Sequence, residues 1–320
     1  MDQDQSTPHS GGPGDSSKKR SFLPRDEGDY SSKKKRVSIT DNSGHKRKFK
    51  ERYALTFGEV AILHVGGEEL GHGRREVGFS VSELQAIAAK YDNAELHSLN
   101  NVACKGESAA LLIIRGGAKT ILSSEEDAAH HLFEEQERVS YDRTFFDSRR
   151  RRMLNKRARF NIVFGEKGQK QRFHRDGKDL SPAEFTSKSF EVASTDVLHS
   201  IESFKNLPLL GQLRDKLPSV FGEKSHLLNA EGNHYYEKKS FIGWHGDAER
   251  KIVMCLSLGR TAYLRFAWRK PGSSENIGMQ EFKIRHGDFY VMSEKATGFD
   301  WRMRSKWRLV HSAGSERQLD

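Results

Sequence analysis

The chain has 320 residues, 35% of them hydrophobic, and a mean hydropathy of -0.76, so it holds one large or two ordinary domains and part of it is solvated. No apolar run approaches the ~18 residues of a bilayer span, the polar N-terminus does not read as a secretory signal, and two isolated cysteines, Cys104 and Cys255, exclude a disulfide framework and fit a reducing compartment. A net charge of +10 and a pI near 9.4 point to a polyanionic partner, nucleic acid above all, because each Lys or Arg that neutralises a phosphate releases a counterion.

Residues 1–50 are Ser, Gly, Pro, Asp and Lys with few large apolar side chains, a composition that cannot offset the entropy of ordering and predicts a disordered tail. Its basic clusters are Lys18-Lys19-Arg20, Lys33-Lys34-Lys35-Arg36 and Lys46-Arg47-Lys48, and the first two have the spacing of a bipartite nuclear import signal. The expected location is the nucleus.

Folded sequence begins near Tyr53. Residues 53–65 are rich in β-branched and aromatic side chains and predict a strand; residues 80–92 predict a helix with a Ser80 or Ser82 cap. The run 111–115 (LLIIR), ended by Gly116-Gly117, reads as a buried strand, and 124–139 as an amphipathic helix with a Ser cap and an acidic first turn. A second basic stretch, Arg149 to Arg152 followed by Lys156, Arg157 and Arg159, leads into a strand over 159–164. Four successive arginines would circle a helix, so they read as exposed, either as a phosphate-binding ridge formed by Arg150, Arg151 and Arg152 or as a solvated linker.

From about residue 226 the sequence becomes short strands punctuated by turns: 226–236, 251–259, 262–269, 278–285, 288–293 and 307–314. Close, even spacing of this kind predicts a sandwich or barrel of jelly-roll type. Within it stands His245-Gly246-Asp247. At the end of a strand, residues two apart point to the same face, so His245 and Asp247 can share a ligand. A later histidine would complete a two-His-one-carboxylate triad, which leaves coordination positions open on iron(II).

Residues 226–320 resemble the catalytic core of the AlkB-like 2-oxoglutarate/Fe(II) oxygenases. Asn233-His234-Tyr235 resembles the family's N-x-Y strand, His245-Gly246-Asp247 its HxD motif, and 286–301 (HGDFYVMSEKATGFDW) its later strand and loop; upstream, TFGE at 56–59 and GFS at 78–80 are similar to a branch found in large DNA viruses and algae. The resemblance implies a double-stranded β-helix, Fe(II) as cofactor, 2-oxoglutarate and O2 as co-substrates, and Asn233 and Tyr235 as contacts to the keto acid. The sequence departs from the family twice. Met303 stands where the family's distal His follows the Trp, and the terminal R-x5-R, whose arginine grips 2-oxoglutarate, is incomplete, with Arg304 followed six residues later by Val310.

Only His286 and His311 follow the HGD motif. His311, flanked by Ser312, Ala313 and Gly314, is the expected third ligand, with His286 and no protein ligand as alternatives. Arg304, Arg308 and Arg317 are the candidate keto-acid anchors, and one or two of Trp244, Trp268, Trp301 and Trp307 could stack on a flipped base. The expectation is an α+β protein: tail 1–50, an α/β extension with helices over 51–155, and a double-stranded β-helix domain over 156–320. It would hydroxylate a modified base in nucleic acid, by oxidative demethylation or by forming a hydroxymethyl group. The alternatives are a protein or small-molecule substrate, or a nucleic-acid-binding pseudo-oxygenase without turnover.

Overall fold

The computed structural model describes residues 49–61, 69–70, 76–104, 106–123, 127–147, 152–166, 169–172, 197–248 and 250–314. The basic clusters of the tail, Arg150, Arg151 and Arg317 lie outside the described residues.

The fold is a mixture of α and β, mostly strands in two sheets with few helices. In chain order the strands of the large sheet are β1 (Arg52–Gly58), β4 (Ala94–Ser98), β5 (Ala110–Ile114), β8 (Phe160–Gly165), β9 (Gln169–Arg172), β10 (Val197–Ser203), β11 (Asn229–Tyr235), β13 (Val253–Gly259) and β16 (Phe289–Met292), arranged 4-5-16-13-1-11-8-10-9. The small sheet is β12 (Ile242–His245), β17 (Arg308–Gly314), β14 (Ala262–Arg269) and β15 (Ile277–Ile284), in that order. Among the described residues two short strand pairs remain, β2 (Val60–Ala61) with β3 (Glu69–Leu70) and β6 (Thr144–Asp147) with β7 (Arg152–Asn155).

Alternation along each central strand builds two cores at once. Leu112 and Ile114 of β5, Leu55 and Phe57 of β1, Met254 and Leu256 of β13, and Phe289 and Val291 of β16 face one core, which the helices share. Their neighbours Leu111, Ile113, Ala54, Val253, Cys255, Tyr290 and Met292 face the other, with Leu264, Phe266, Trp268, Leu309 and Ala313 of the small sheet. Strands covered on both faces read as near-continuous apolar runs, which is why 111–115 and 251–259 stand out in the sequence.

Among the described residues four helices cover the large sheet: α1 (Val81–Ala88), α2 (Gly117–Leu122), α3 (Ala128–Glu137) and α4 (Pro208–Phe221). Of the two expected caps it is Ser80 that starts α1, in a capping box with the Ser80 hydroxyl accepting from the Glu83 amide and the Glu83 carboxylate accepting from the Ser80 amide. The helix expected over 124–139 is shorter. It starts at Ala128 behind Asp127 in a left-handed conformation, with no side-chain cap. Gly116-Gly117 ends β5 as expected but also begins α2, and a Cβ on Gly117 would lie 2.4 Å from the Cβ of Phe289, so the glycine lets α2 dock on β16. The helix α4 was not read from the sequence. Its signal was present, since Leu210, Leu213, Leu217 and Phe221 fall at helical spacing behind a Pro at the first turn, but Pro218 argues against a helix.

The stretch after Arg149 is corrected. Arg152 opens β7, paired with β6, so the described part of this segment is a β-hairpin and not a helix. The 51–155 segment supplies α1, α2 and α3 and also β1, β4 and β5, three strands of the large sheet itself.

Candidate metal and anion site

β12 and β17 are adjacent antiparallel strands whose register sets His245 directly opposite His311. Directly opposed residues carry their side chains on one face, about 5 Å apart at Cβ, and here the two imidazole rings are 4.3 Å apart, centre to centre. Asp247 follows just beyond the strand, fixed by two backbone bonds: its N–H donates to the Thr297 carbonyl at 2.9 Å, and its carbonyl accepts from the Arg250 N–H at 3.0 Å. The Asp247 oxygens lie 3.6 Å from His245 Nε2 and 3.7 Å from His311 Nε2. One ligand atom from each residue falls within 4.8 Å of the others, a spacing able to hold a single metal ion.

Gly246 has a different role from the one its place between two ligands suggests. A Cβ there would lie 2.4 Å from the Gly298 carbonyl oxygen and 2.7 Å from Trp301 Cβ, so the constraint is the loop packed behind the motif, not crowding of a metal. The His245 Nδ1–H donates to the Gly243 carbonyl at 2.7 Å, which turns Nε2 toward Asp247. His311 is buried. Burial first, then the charges of His245 and Arg250, hold its imidazole well below the ordinary histidine range, with the Ala296 backbone acting the other way, so it is neutral at pH 7 and in ligating form. His286 is committed elsewhere, accepting from the Gly259 N–H at 2.8 Å and packing on Phe49.

The triad opens into a cavity of about 240 Å3 between the two sheets. Asn233 and Tyr235 line it, as expected, and Asn233 Oδ1 accepts from Arg159 Nε. Two of the candidate arginines do not reach it. Arg308 is buried but donates to the carbonyls of Trp301, Lys270 and Ser273, tying loops together, and Arg304 is exposed beside the Gly272 carbonyl. Among the tryptophans, Trp301 lines the cavity, whereas Trp268 is core, its Nε1–H donating to the Leu99 carbonyl at 2.7 Å.

Four other arginines line the cavity: Arg52, Arg159, Arg250 and Arg302. Against them stand two carboxylates, Asp247 and Glu231. Arg250 pairs with Glu231, whose other oxygen accepts from Asn161 Nδ2 at 3.3 Å, and Asn161 Oδ1 in turn accepts from Lys156. Lys156, from the basic stretch, is partly buried, and that burial lowers its ammonium to about 8 despite Asp142 and Glu231. Arg302 sits over the Trp301 ring at the same cavity. The sequence reading met Arg159 only as part of the basic stretch and did not single out Arg52, Arg250 or Arg302, because the cavity joins segments that lie far apart in the chain. The one available signal was Arg52, a charge inside the otherwise apolar alternation of RYALTFG.

Among the described residues, no helix is long and apolar enough to cross a membrane. No family model matches the sequence. The chain is similar to an uncharacterized protein of Acanthamoeba polyphaga mimivirus, with 30% identity over 278 residues, 84% of this chain and 97% of the viral protein. Likeness at that level and over nearly the whole of the relative means that the chain belongs to the family of this mimivirus protein.

Proposed function

We propose that the chain is an iron(II)- and 2-oxoglutarate-dependent oxygenase, with a jelly-roll core of the AlkB-like kind, that hydroxylates a C–H bond of a modified base in nucleic acid. The observation that carries the reading is the convergence of His245, Asp247 and His311 on a cavity lined by four arginines. Two imidazoles and one carboxylate are a donor set suited to iron(II), and they leave half of an octahedron open. With a keto acid and dioxygen, iron in such a site supplies the oxidation that inserts oxygen into a C–H bond.

The chain's own residues do the rest. Gly243 fixes the tautomer of His245, the Thr297 carbonyl fixes the Asp247 backbone, and Glu231 holds Arg250 at the metal end of the cavity. The jelly-roll reading is supported by a strand count. Such a fold has eight strands in two facing sheets; β11 to β17 supply seven, and β1, lying between β11 and β13, is the eighth. The incomplete R-x5-R then carries less weight against turnover, because the closing strand comes from before the catalytic segment.

Nucleic acid as substrate rests on charge. With Arg250 paired to Glu231, Arg52, Arg159 and Arg302 remain as cations at the cavity, and Arg302 lies over the Trp301 ring, an arrangement suited to a base and its phosphate. The basic clusters of the tail support nuclear import. The test is succinate formation from 2-oxoglutarate by the full chain with Fe(II) and O2, stimulated by modified single-stranded oligonucleotides and not by histone peptides. Stimulation by peptides alone would move the substrate to protein, and undiminished succinate formation by Asp247→Ala would reject the oxygenase.

A further inference from the structure

Arg52 is a buried charge with an unmet need. It is 3% exposed, its Nε donates to Ser257 Oγ at 3.3 Å, and its Nη1 is buried with no hydrogen-bond partner. An unpaired guanidinium nitrogen in a closed site is costly, and a carboxylate answers it best, through two parallel charge-assisted hydrogen bonds. The surroundings are shaped for one. The Arg52 guanidinium lies 4.8 Å over the Tyr235 ring, and Tyr290, close enough to feel its charge, lines the same cavity. Among the described residues no acidic side chain pairs with Arg52 there: of the two that line the cavity, Glu231 holds Arg250 and Asp247 belongs to the triad.

Its place along the cavity is set by register. Thr56 stands opposite Glu231, the partner of Arg250, whose N–H donates to the Asp247 carbonyl at 3.0 Å, so this is the metal end. Arg52 stands opposite Tyr235, four residues along β1 and roughly 13 Å away at about 3.3 Å per residue, less the reach of its own side chain. In the facing sheet Ile242 and Leu264 both pair with Ala313, two residues beyond His311, and all three line the cavity as an apolar strip.

We infer that Arg52, delivered by a strand that precedes the catalytic segment, anchors the far carboxylate of the keto acid, with the Tyr235 and Tyr290 hydroxyls beside it and the Ile242–Leu264–Ala313 strip against the methylenes. This rests on the oxygenase reading and replaces the C-terminal arginines as the source of keto-acid selectivity. Arg52 is a binding and selectivity residue; the metal end stays with the triad.

The experiment measures equilibrium binding by calorimetry, without oxygen, to the full chain loaded with Mn(II). Two keto acids are compared: 2-oxoglutarate and 2-oxopentanoate, which has the same five carbons with a methyl in place of the far carboxylate. The wild-type chain prefers 2-oxoglutarate. In Arg52→Leu that affinity falls roughly 30-fold or more, as expected when one partner of a buried charge pair is removed, while 2-oxopentanoate binding and Mn(II) content are unchanged. Arg52→Lys, which keeps the charge without the fork, falls between. Arg52→Leu binding 2-oxoglutarate like the wild type overturns the assignment, and so does equal weakening of both keto acids, which would make Arg52 a residue of the fold. A wild-type chain that binds Mn(II) but neither keto acid is a different result, the failure of the oxygenase reading itself.

Discussion

The two walls of the cavity are built from very different amounts of sequence. The small sheet brings its ligands from one stretch, 242–314, with His245 and Asp247 two residues apart and His311 set opposite His245 by a single strand pairing. The facing wall draws Arg52 from β1, Arg159 from the residue before β8, Glu231, Asn233 and Tyr235 from β11, and Tyr290 from β16. One wall is a local motif and the other is a product of sheet order, so mutations in the two should separate metal binding from anion binding.

The largest expected effect lies in the local wall. His245→Ala, Asp247→Ala and His311→Ala should each lower Fe(II) or Mn(II) affinity more than ~100-fold, beyond the cost of losing only an outer hydrogen bond to a ligand, as read by metal content after gel filtration. His286→Ala should keep the metal, because that ring faces Phe49 and the Gly259 amide. Metal loss in His286→Ala with retention in His311→Ala would dissolve the comparison by moving the third ligand. Next comes Gly246→Ala. With the Gly298 carbonyl at 2.4 Å from the new methyl, overpacking should cost about 1–3 kcal/mol in urea unfolding and loosen the metal site, although no ligand is touched.

The difference between the walls also explains what the sequence disclosed. The His245–Asp247 pair needs only the two-residue period of a strand to be legible, and the choice of His311 needs only the elimination of one other histidine. The strands of the catalytic half were legible for a similar reason: β13, β14 and β16 are buried and bounded by turns. The anchor was not legible. Arg52 is adjacent to Tyr235 only because β1 inserts between β11 and β13, a pairing across 183 positions (235 − 52) that no local period records. Arg308 drew attention by standing in the strand of His311, yet its side chain caps three loop carbonyls. The α4 helix was hidden by Pro218, which its last turn tolerates.

The rim of the cavity can be probed with one arginine from each stretch, Arg159 before β8 and Arg302 within 242–314. Arg159→Gln with Arg302→Gln should weaken binding of single-stranded oligonucleotides by a similar factor for all sequences. Each lost phosphate contact should take about 0.7–0.9 off the log–log salt slope, while Mn(II) binding holds. An unchanged slope would leave the rim without a role in phosphate binding and would favour a peptide or small-molecule substrate.

A smaller effect concerns Lys156, at the outer end of the chain of polar side chains that leads through Asn161 and Glu231 to Arg250. Its folded value of about 8 is below the ordinary 10.5, so between those values the unfolded chain binds a proton that the folded chain does not. Stability therefore rises with pH across that window and is lower below it. Because the group is only partly buried, the expected rise is on the order of 1 kcal/mol. Urea unfolding from pH 8 to 10.5 should show the rise in the wild-type chain and lose it in Lys156→Met; parallel profiles would mean that Lys156 is solvated in both states.

The smallest expected effect tests where the distributed wall begins. Phe49 packs on Phe133 and His286, and the Lys50 carbonyl accepts from Arg260 Nη1 at 2.8 Å, so the folded unit holds the chain from Phe49 onward. Removing residues 1–48 should therefore change unfolding free energy by no more than about 0.5 kcal/mol, the range of changes away from packed features, and leave 2-oxoglutarate affinity unaltered. Binding to long nucleic acid should still weaken, because the three basic clusters are gone. A deletion through Gly58 is the contrasting case, since it removes the strand that pairs with both β11 and β13 and takes Arg52 with it. If removal of 1–48 alone cost the chain its keto-acid binding, the anion wall would extend into the tail, and Arg52 would no longer suffice to explain selectivity.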